Sequence, residues 1–331
     1  MISCTEFIPA YSELFKFLDR KSGRQAVYDY WSWCFQPEKS QLYVHLVKSG
    51  FSGAWEYWSN IMVEEACDCS RIYNEKEGWS ISCMHACPSK GRFNKLGYLE
   101  PFDEYCEHCN CYNIALEKKG FAMIRDHRGV DKASCRSVLI DKARFKGNAQ
   151  EMLDKMYQCE LNGCTAGTTG CPFESENTKK LNSCSAHLRY FHPSFHMSIN
   201  NATGYVLDHY GLDGLKEYLT QYTLAYHIPL IQKIRKNGLQ AMEDYLRWLY
   251  IEEGASDALA IHGDNNELSV TIQYCPGVKF IKEVRNQIPH DAYEHCTDMV
   301  YAALAEAAGI GFDMISYDPE NGAAKFRFYT R

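Results

Sequence analysis

Tyr105 to Tyr112 reads YCEHCNCY and sets Cys106, His108, Cys109 and Cys111 within a few positions of one another. Thiolates are soft ligands, and sets of four hold zinc or an iron–sulfur cluster. Cys106 and Cys109 form a C-x-x-C pair, a common ligand spacing, and on a helix they share one face. Cys83 and Cys87 precede this stretch and Cys135 follows it. A strand–helix–strand unit would bring these regions together. The expected metal ligands are therefore Cys87, Cys106, Cys109, Cys111 and Cys135, around an iron–sulfur cluster or zinc.

The second half repeats part of this pattern in Cys275-Pro276 and His295-Cys296. With fewer thiols there, the fitting chemistry is a nucleophilic centre of Cys275 and Cys296 with His295 as base. Adjacent helix positions point apart, which disfavours His295 as a direct base for Cys296. Cysteines standing alone, such as Cys4 and Cys34, read as small buried hydrophobes. Cys159, Cys164, Cys171 and Cys184 match no zinc-finger spacing, and the sequence leaves their part in any site undecided. The run TAGTTG among them carries backbone amides but matches no phosphate loop. His192 and His196, four apart, suit metal ligation on a helix, but their motif supplies no third ligand. One glutamate of Glu64-Glu65 and one of Glu252-Glu253 could face inward as an acid–base group, though glutamates are seldom buried unpaired.

Composition narrows the classes. The chain has 331 residues, 46% of them hydrophobic and 23% charged, enough apolar material for sizeable cores. The net charge of −7, with no basic run, argues against nucleic acid. No apolar run is long enough for a membrane span. MISCTEFIPAYSELFKFLDRK lacks the basic and apolar regions of a signal peptide. The expected setting is cytoplasmic, where disulfides are disfavoured and clustered cysteines point to metal or catalysis. The expected partner is a small-molecule substrate; no oligomeric state is implied.

The elements that must position these residues come in two copies. Shifting the second half by 188 positions sets Phe7 on Phe195, Gly23 on Gly211, Tyr30 on Tyr218, Gly50 on Gly238, Tyr57 on Tyr245 and Cys87-Pro88 on Cys275-Pro276. DEYCEHC then meets DAYEHC, with Cys106 missing from the later copy. A tandem duplication is the simplest cause. Each copy opens with amphipathic helices: QAVYDYWSWCF, QLYVHLVKSG and AWEYWSNIMVEEA in one, YVLDHYGLDGLKEYLTQYTLAYHIPLIQKIRKNG and AMEDYLRWLYIEEG in the other. An alternating strand follows (WSISC or LSVTI), then a helix with the His-Cys pair, then a closing strand (SVLI or KFRFY). The expected fold is α+β, two tandem pseudo-symmetric repeats, each a helical lead-in followed by a strand–helix–strand unit. The expected divisions are 1–140, a cysteine-rich connector 141–190 that starts as a helix (NAQEMLDKMYQ) and goes on as a loop, and 191–331.

In Cys87-Pro88, His108-Cys109, Gly120-Phe121 and Ala133-Ser134-Cys135-Arg136, and in Cys275-Pro276, His295-Cys296, Gly309-Ile310 and Lys325-Phe326-Arg327-Phe328, the repeat resembles the L-2-amino-thiazoline-4-carboxylic acid hydrolase family. Cys135 matches a cysteine that family members often carry before the final strand; the second copy departs there. The resemblance implies hydrolytic opening of a small cyclic C=N substrate, although a fold does not fix a reaction. The sequence thus leads to a metal- or iron–sulfur-dependent enzyme acting on a small sulfur- or nitrogen-containing metabolite, hydrolytic at a C=N or C–S bond. Its rivals are a non-enzymatic metal- or redox-sensing protein and an iron–sulfur redox enzyme.

Overall fold

A computed structural model describes residues 1–166, 168–185 and 189–331; Gly167 of TAGTTG lies outside them. Among the described residues the protein is α+β, with helices and two antiparallel sheets of five and four strands. The chain divides into two compact units. Met1–Ser22 joins Phe191–Arg331 in one, and Gly23–Tyr190 forms the other.

The helix α1 (Phe7–Ser22) belongs to the first unit. The second unit begins with α2 (Arg24–Cys34) and α3 (Gln41–Glu64), which bends at Gly50, where φ is 57° and ψ −133°. Then come β1 (Asp68–Asn74), β2 (Trp79–Ala86), α4 (Pro88–Leu96), the 3-10 segment Tyr105–Tyr112, α5 (Asn113–Glu117), β3 (Phe121–Asp126), β4 (Cys135–Asp141), α6 (Ala149–Leu161) and β5 (Lys179–Ser183). The sheet order is β3-β4-β2-β1-β5. Alternation along the strands loads both faces. Cys69 and Tyr73 pack with Phe51, Trp58 and Met62 of α3, while Ile72, Ile81 and Val138 pack with Leu153 and Met156 of α6.

The helix expected at NAQEMLDKMYQ, in the 141–190 stretch, is α6; it covers one face of this sheet, and β5 from the same stretch adds an edge by pairing with β1. One expectation changes here. The His108-Cys109 pair lies on a 3-10 segment, not an α-helix.

The first unit continues with α7 (Phe195–Tyr226), α8 (Ile228–Asn237), α9 (Leu239–Glu252), β6 (Leu259–Gly263), β7 (Glu267–Ile272), α10 (Pro276–Lys279) running into a π turn at Phe280–Val284, α11 (His295–Ala308), β8 (Ile310–Asp318) and β9 (Ala323–Thr330). Its sheet order is β6-β7-β9-β8. Leu268, Val270, Ile272, Phe326 and Phe328 point inward while Lys325 and Glu267 stay exposed, the one-sided pattern of an antiparallel sheet. α1 lies along α7: Phe7 stacks on Phe195 at 4.2 Å, and the Tyr218 hydroxyl donates to the Ala10 carbonyl at 3.0 Å. Each unit therefore has more strands than the strand–helix–strand reading foresaw. The Gly-Phe and Gly-Ile dipeptides open two of the additional ones, β3 and β8.

Candidate functional sites

In the second unit, β2 and β4 pair with Met84 opposite Cys135 and Cys83 opposite Arg136. Just beyond β2, Cys87 caps α4, and its amide donates to the Ala133 carbonyl at 2.7 Å. That bond holds Cys87 beside the turn leading into Cys135. The Tyr105–Tyr112 segment is tied on both sides. The Phe93 ring of α4 meets the Tyr105 ring at 5.3 Å, and the Asn113 side chain bonds the amide and carbonyl of Met123 on β3. Arg136 beyond Cys135 is fully buried, paired with Asp126 and Glu160, which fixes the start of β4.

Cys87, Cys106, Cys109 and Cys135 consequently act on one another electrostatically. Burial, the largest influence, pushes Cys106 and Cys135 up to about 12 and raises Cys87, and neighbouring thiolates add to it. Cys111 is also pushed to about 12, by burial and then by Cys109 and Glu107. Cys109 departs from the others. Burial would raise it too, but the charges of His108 and Arg125 outweigh that and hold it down at about 6. Its sulfur is 3.7 Å from His108 Nε2, and His108 Nδ1 meets the Tyr105 carbonyl. Arg125 Nε is buried without a hydrogen-bond partner. Among the described residues, none of these cysteines joins a group of three ligand atoms within 4.8 Å of one another.

Such a group does form in the first unit. Cys4 comes from the 3-10 turn Cys4–Glu6, His196 from the first turn of α7 and Glu253 from just past α9. All three are buried, their ligand atoms lie within 4.8 Å of one another, and together they could hold a metal ion. His196 Nε2 meets Glu253 Oε2 at 3.0 Å, and Nδ1 meets the Tyr293 hydroxyl at 2.9 Å. The Cys4 amide donates to Glu253 Oε1 at 2.7 Å. Burial would raise Glu253, but the His196 charge and these hydrogen bonds outweigh it and hold the carboxyl at about 2. Gly277, on α10, is where these groups crowd the backbone. A Cβ there would stand 2.0 Å from the Tyr293 hydroxyl and 2.7 Å from His196 Nδ1. His196 and Glu253 also line a cleft of about 240 Å³, walled by Phe191, Pro193, Pro276 and Phe280.

The nucleophilic trio expected in the second half lies in the first unit. Cys275 and Cys296 are both buried; burial raises Cys275 and pushes Cys296 to about 12. The Cys275 sulfur lies 3.4 Å from the Met1 sulfur. His295 Nδ1 meets Asp298 Oδ2 at 3.1 Å. His192 precedes α7 instead of sharing it with His196, and its ring packs edge-on against Phe195 at 4.4 Å. All sixteen cysteines are free thiols, with Cys159, Cys164 and Cys171 half-buried and Cys184 exposed.

Sequence reasoning found His196 and Glu253 separately but read Cys4 as packing and gave Tyr293 no role. The missing signal is distance along the chain, since Cys4 and Glu253 lie 249 positions apart. Comparison with known proteins found no matching family model, no matching curated protein and no matching solved structure.

Proposed function

We propose that the protein is an iron–sulfur- or metal-dependent enzyme acting hydrolytically on a small sulfur- or nitrogen-containing metabolite, with Cys87, Cys106, Cys109 and Cys135 as ligands. The observation that supports this reading is that the Cys87 amide bonds Ala133, two residues before Cys135, and that Cys87, Cys106, Cys109 and Cys135 lie near enough to feel one another's charge. An iron–sulfur cluster or zinc is the group these thiols suit as ligands. Such a group, with an open position, supplies Lewis-acid activation of substrate or water. Arg125, with its unpartnered Nε, is available for an anionic substrate group or for the thiolates' charge.

The enzyme reading leans on the resemblance to the thiazoline-carboxylate hydrolases, and the resemblance leans on a duplication. Two features support the duplication. Read from the edge inward, β3-β4-β2-β1 and β8-β9-β7-β6 have corresponding orders. The matched glycines also share backbone conformations: Gly23 and Gly211 at φ 82° and 68°, Gly50 and Gly238 at φ 57° and 65°.

The test is iron and sulfide analysis with a visible spectrum on anaerobically purified protein, repeated on Cys87→Ser and Cys135→Ser. The expected result is iron and sulfide with broad visible absorption in the parent and loss of both in each variant. Folded protein with neither iron nor zinc would reject the metal reading. One observation favours a second reading, a metal-free thiol nucleophile: the 3.7 Å contact of Cys109 with His108 Nε2. In that case iodoacetamide should modify Cys109 fastest, with a rate that rises with pH around a midpoint near 6.

A further inference from the structure

We propose a second metal centre, in the first unit: Cys4 Sγ, His196 Nε2 and Glu253 Oε2 bind one zinc-type divalent cation, leaving a fourth coordination position that opens on the adjoining cleft. It is independent of the thiol cluster and shares no residue with it.

Four observations carry this site. The three donor atoms already lie within 4.8 Å of one another, so a cation drawing them to bond length needs only small side-chain movements. The donor set is a thiolate, an imidazole and a carboxylate, types that zinc takes. A thiolate and a carboxylate also neutralise a divalent cation, so the filled site buries no net charge, whereas isolated buried charge is costly. Next, the donors are already oriented from behind. With His196 Nε2 turned to the cation, Nδ1 remains bonded to the Tyr293 hydroxyl at 2.9 Å. Glu253 keeps Oε1 on the Cys4 amide at 2.7 Å, while Oε2, 3.0 Å from His196 Nε2, exchanges that contact for the cation. Such outer partners fix the ring and the carboxylate for a metal. Finally, His196 and Glu253 line the cleft of about 240 Å³, so a ligand of a few non-hydrogen atoms can reach the open position. Three protein ligands with an open fourth position is the arrangement of hydrolytic zinc sites, where bound water loses its proton near neutral pH. The cleft's aromatic wall of Phe280 and Tyr274, with Lys279 at its edge, suits a small planar anion.

The test is cobalt binding by the full chain after chelator treatment, read as ions per chain and as the sulfur-to-cobalt charge-transfer band. The parent should bind one ion more than Cys4→Ala, and the band of that ion should persist in Cys109→Ala. Tyr293→Phe, which removes no ligand, should weaken this ion about 10–100-fold with the circular dichroism unchanged. Azide added to the cobalt form should shift the visible bands, reporting the open position. Equal stoichiometry in the parent and a folded Cys4→Ala would overturn the proposal, as would a Tyr293→Phe affinity equal to the parent's. Either failure leaves the thiol-cluster reading untouched, because Cys109→Ala reports on that site separately.

Discussion

Glu6 is wholly buried, and its carboxylate accepts from the Ser3 amide at 3.2 Å and the Tyr245 hydroxyl at 2.9 Å. Burial outweighs these bonds and lifts the carboxyl from 4.5 to about 7. Between those values the unfolded chain has released the proton and the folded chain retains it. Stability from this group is therefore complete below about pH 4.5 and declines as pH rises towards about 7, by about 3 kcal/mol in all. Glu6→Gln should flatten that dependence, measured as urea midpoints on either side of the window; an unchanged slope would place the titration elsewhere. Glu253 has the opposite sign. Held at about 2, it stabilises above the ordinary carboxylate range and loses that contribution as pH falls towards about 2. Nothing in the local sequence separates these two glutamates from their solvated counterparts. What decides each is its setting in three dimensions: burial for Glu6, the charge of a histidine for Glu253.

Helices and strands were the legible part. α3, α6, α9, β2, β7 and β9 follow the hydrophobic spacing, because each buries one face and the period survives in the residues. β5, with mostly exposed residues in KKLNS, shows no apolar alternation and was invisible; it exists because β1 offers it an edge. Glycines mark the joints. Gly238 joins α8 to α9 at φ 65° and ψ −151°, a region nearly closed to other residues. A Cβ there would meet nothing within 4 Å, so the cost of Gly238→Ala is backbone strain alone, about 1–3 kcal/mol in denaturant unfolding. Gly277→Ala tests packing instead. With a Cβ 2.0 Å from the Tyr293 hydroxyl, it should break the His196–Tyr293 bond and weaken metal binding at Cys4, His196 and Glu253.

Across the whole molecule, the two units carry separate cores. Leu153 is buried between α6 and its sheet in one, and Leu246 is buried on α9 in the other. Leu153→Ala and Leu246→Ala should each cost about 2–5 kcal/mol. In denaturant unfolding followed by hydrogen exchange, each should lower the protection of its own unit and leave that of the other unchanged; loss of protection in both units from either variant would mean that the two unfold as one. Among the described residues no helix is long and apolar enough to cross a membrane. Helical and alternating hydrophobic spacings made the α+β class readable, but not which helix joins which unit. Amphipathic spacing tells α1 to bury a face and cannot say against what.

That assignment of α1 has a consequence for vectorial synthesis. The ribosome delivers α1 early, then everything from Gly23 to Tyr190, and only afterwards α7, on which α1 packs. The middle stretch can condense while still tethered to the ribosome, as a contiguous nascent domain. α1 meanwhile emerges with the apolar face of Phe7, Tyr11 and Leu14 uncovered and must be kept from aggregating until its late-arriving mate is made. Chaperone dependence in this protein should accordingly concentrate on the stretch Met1–Ser22.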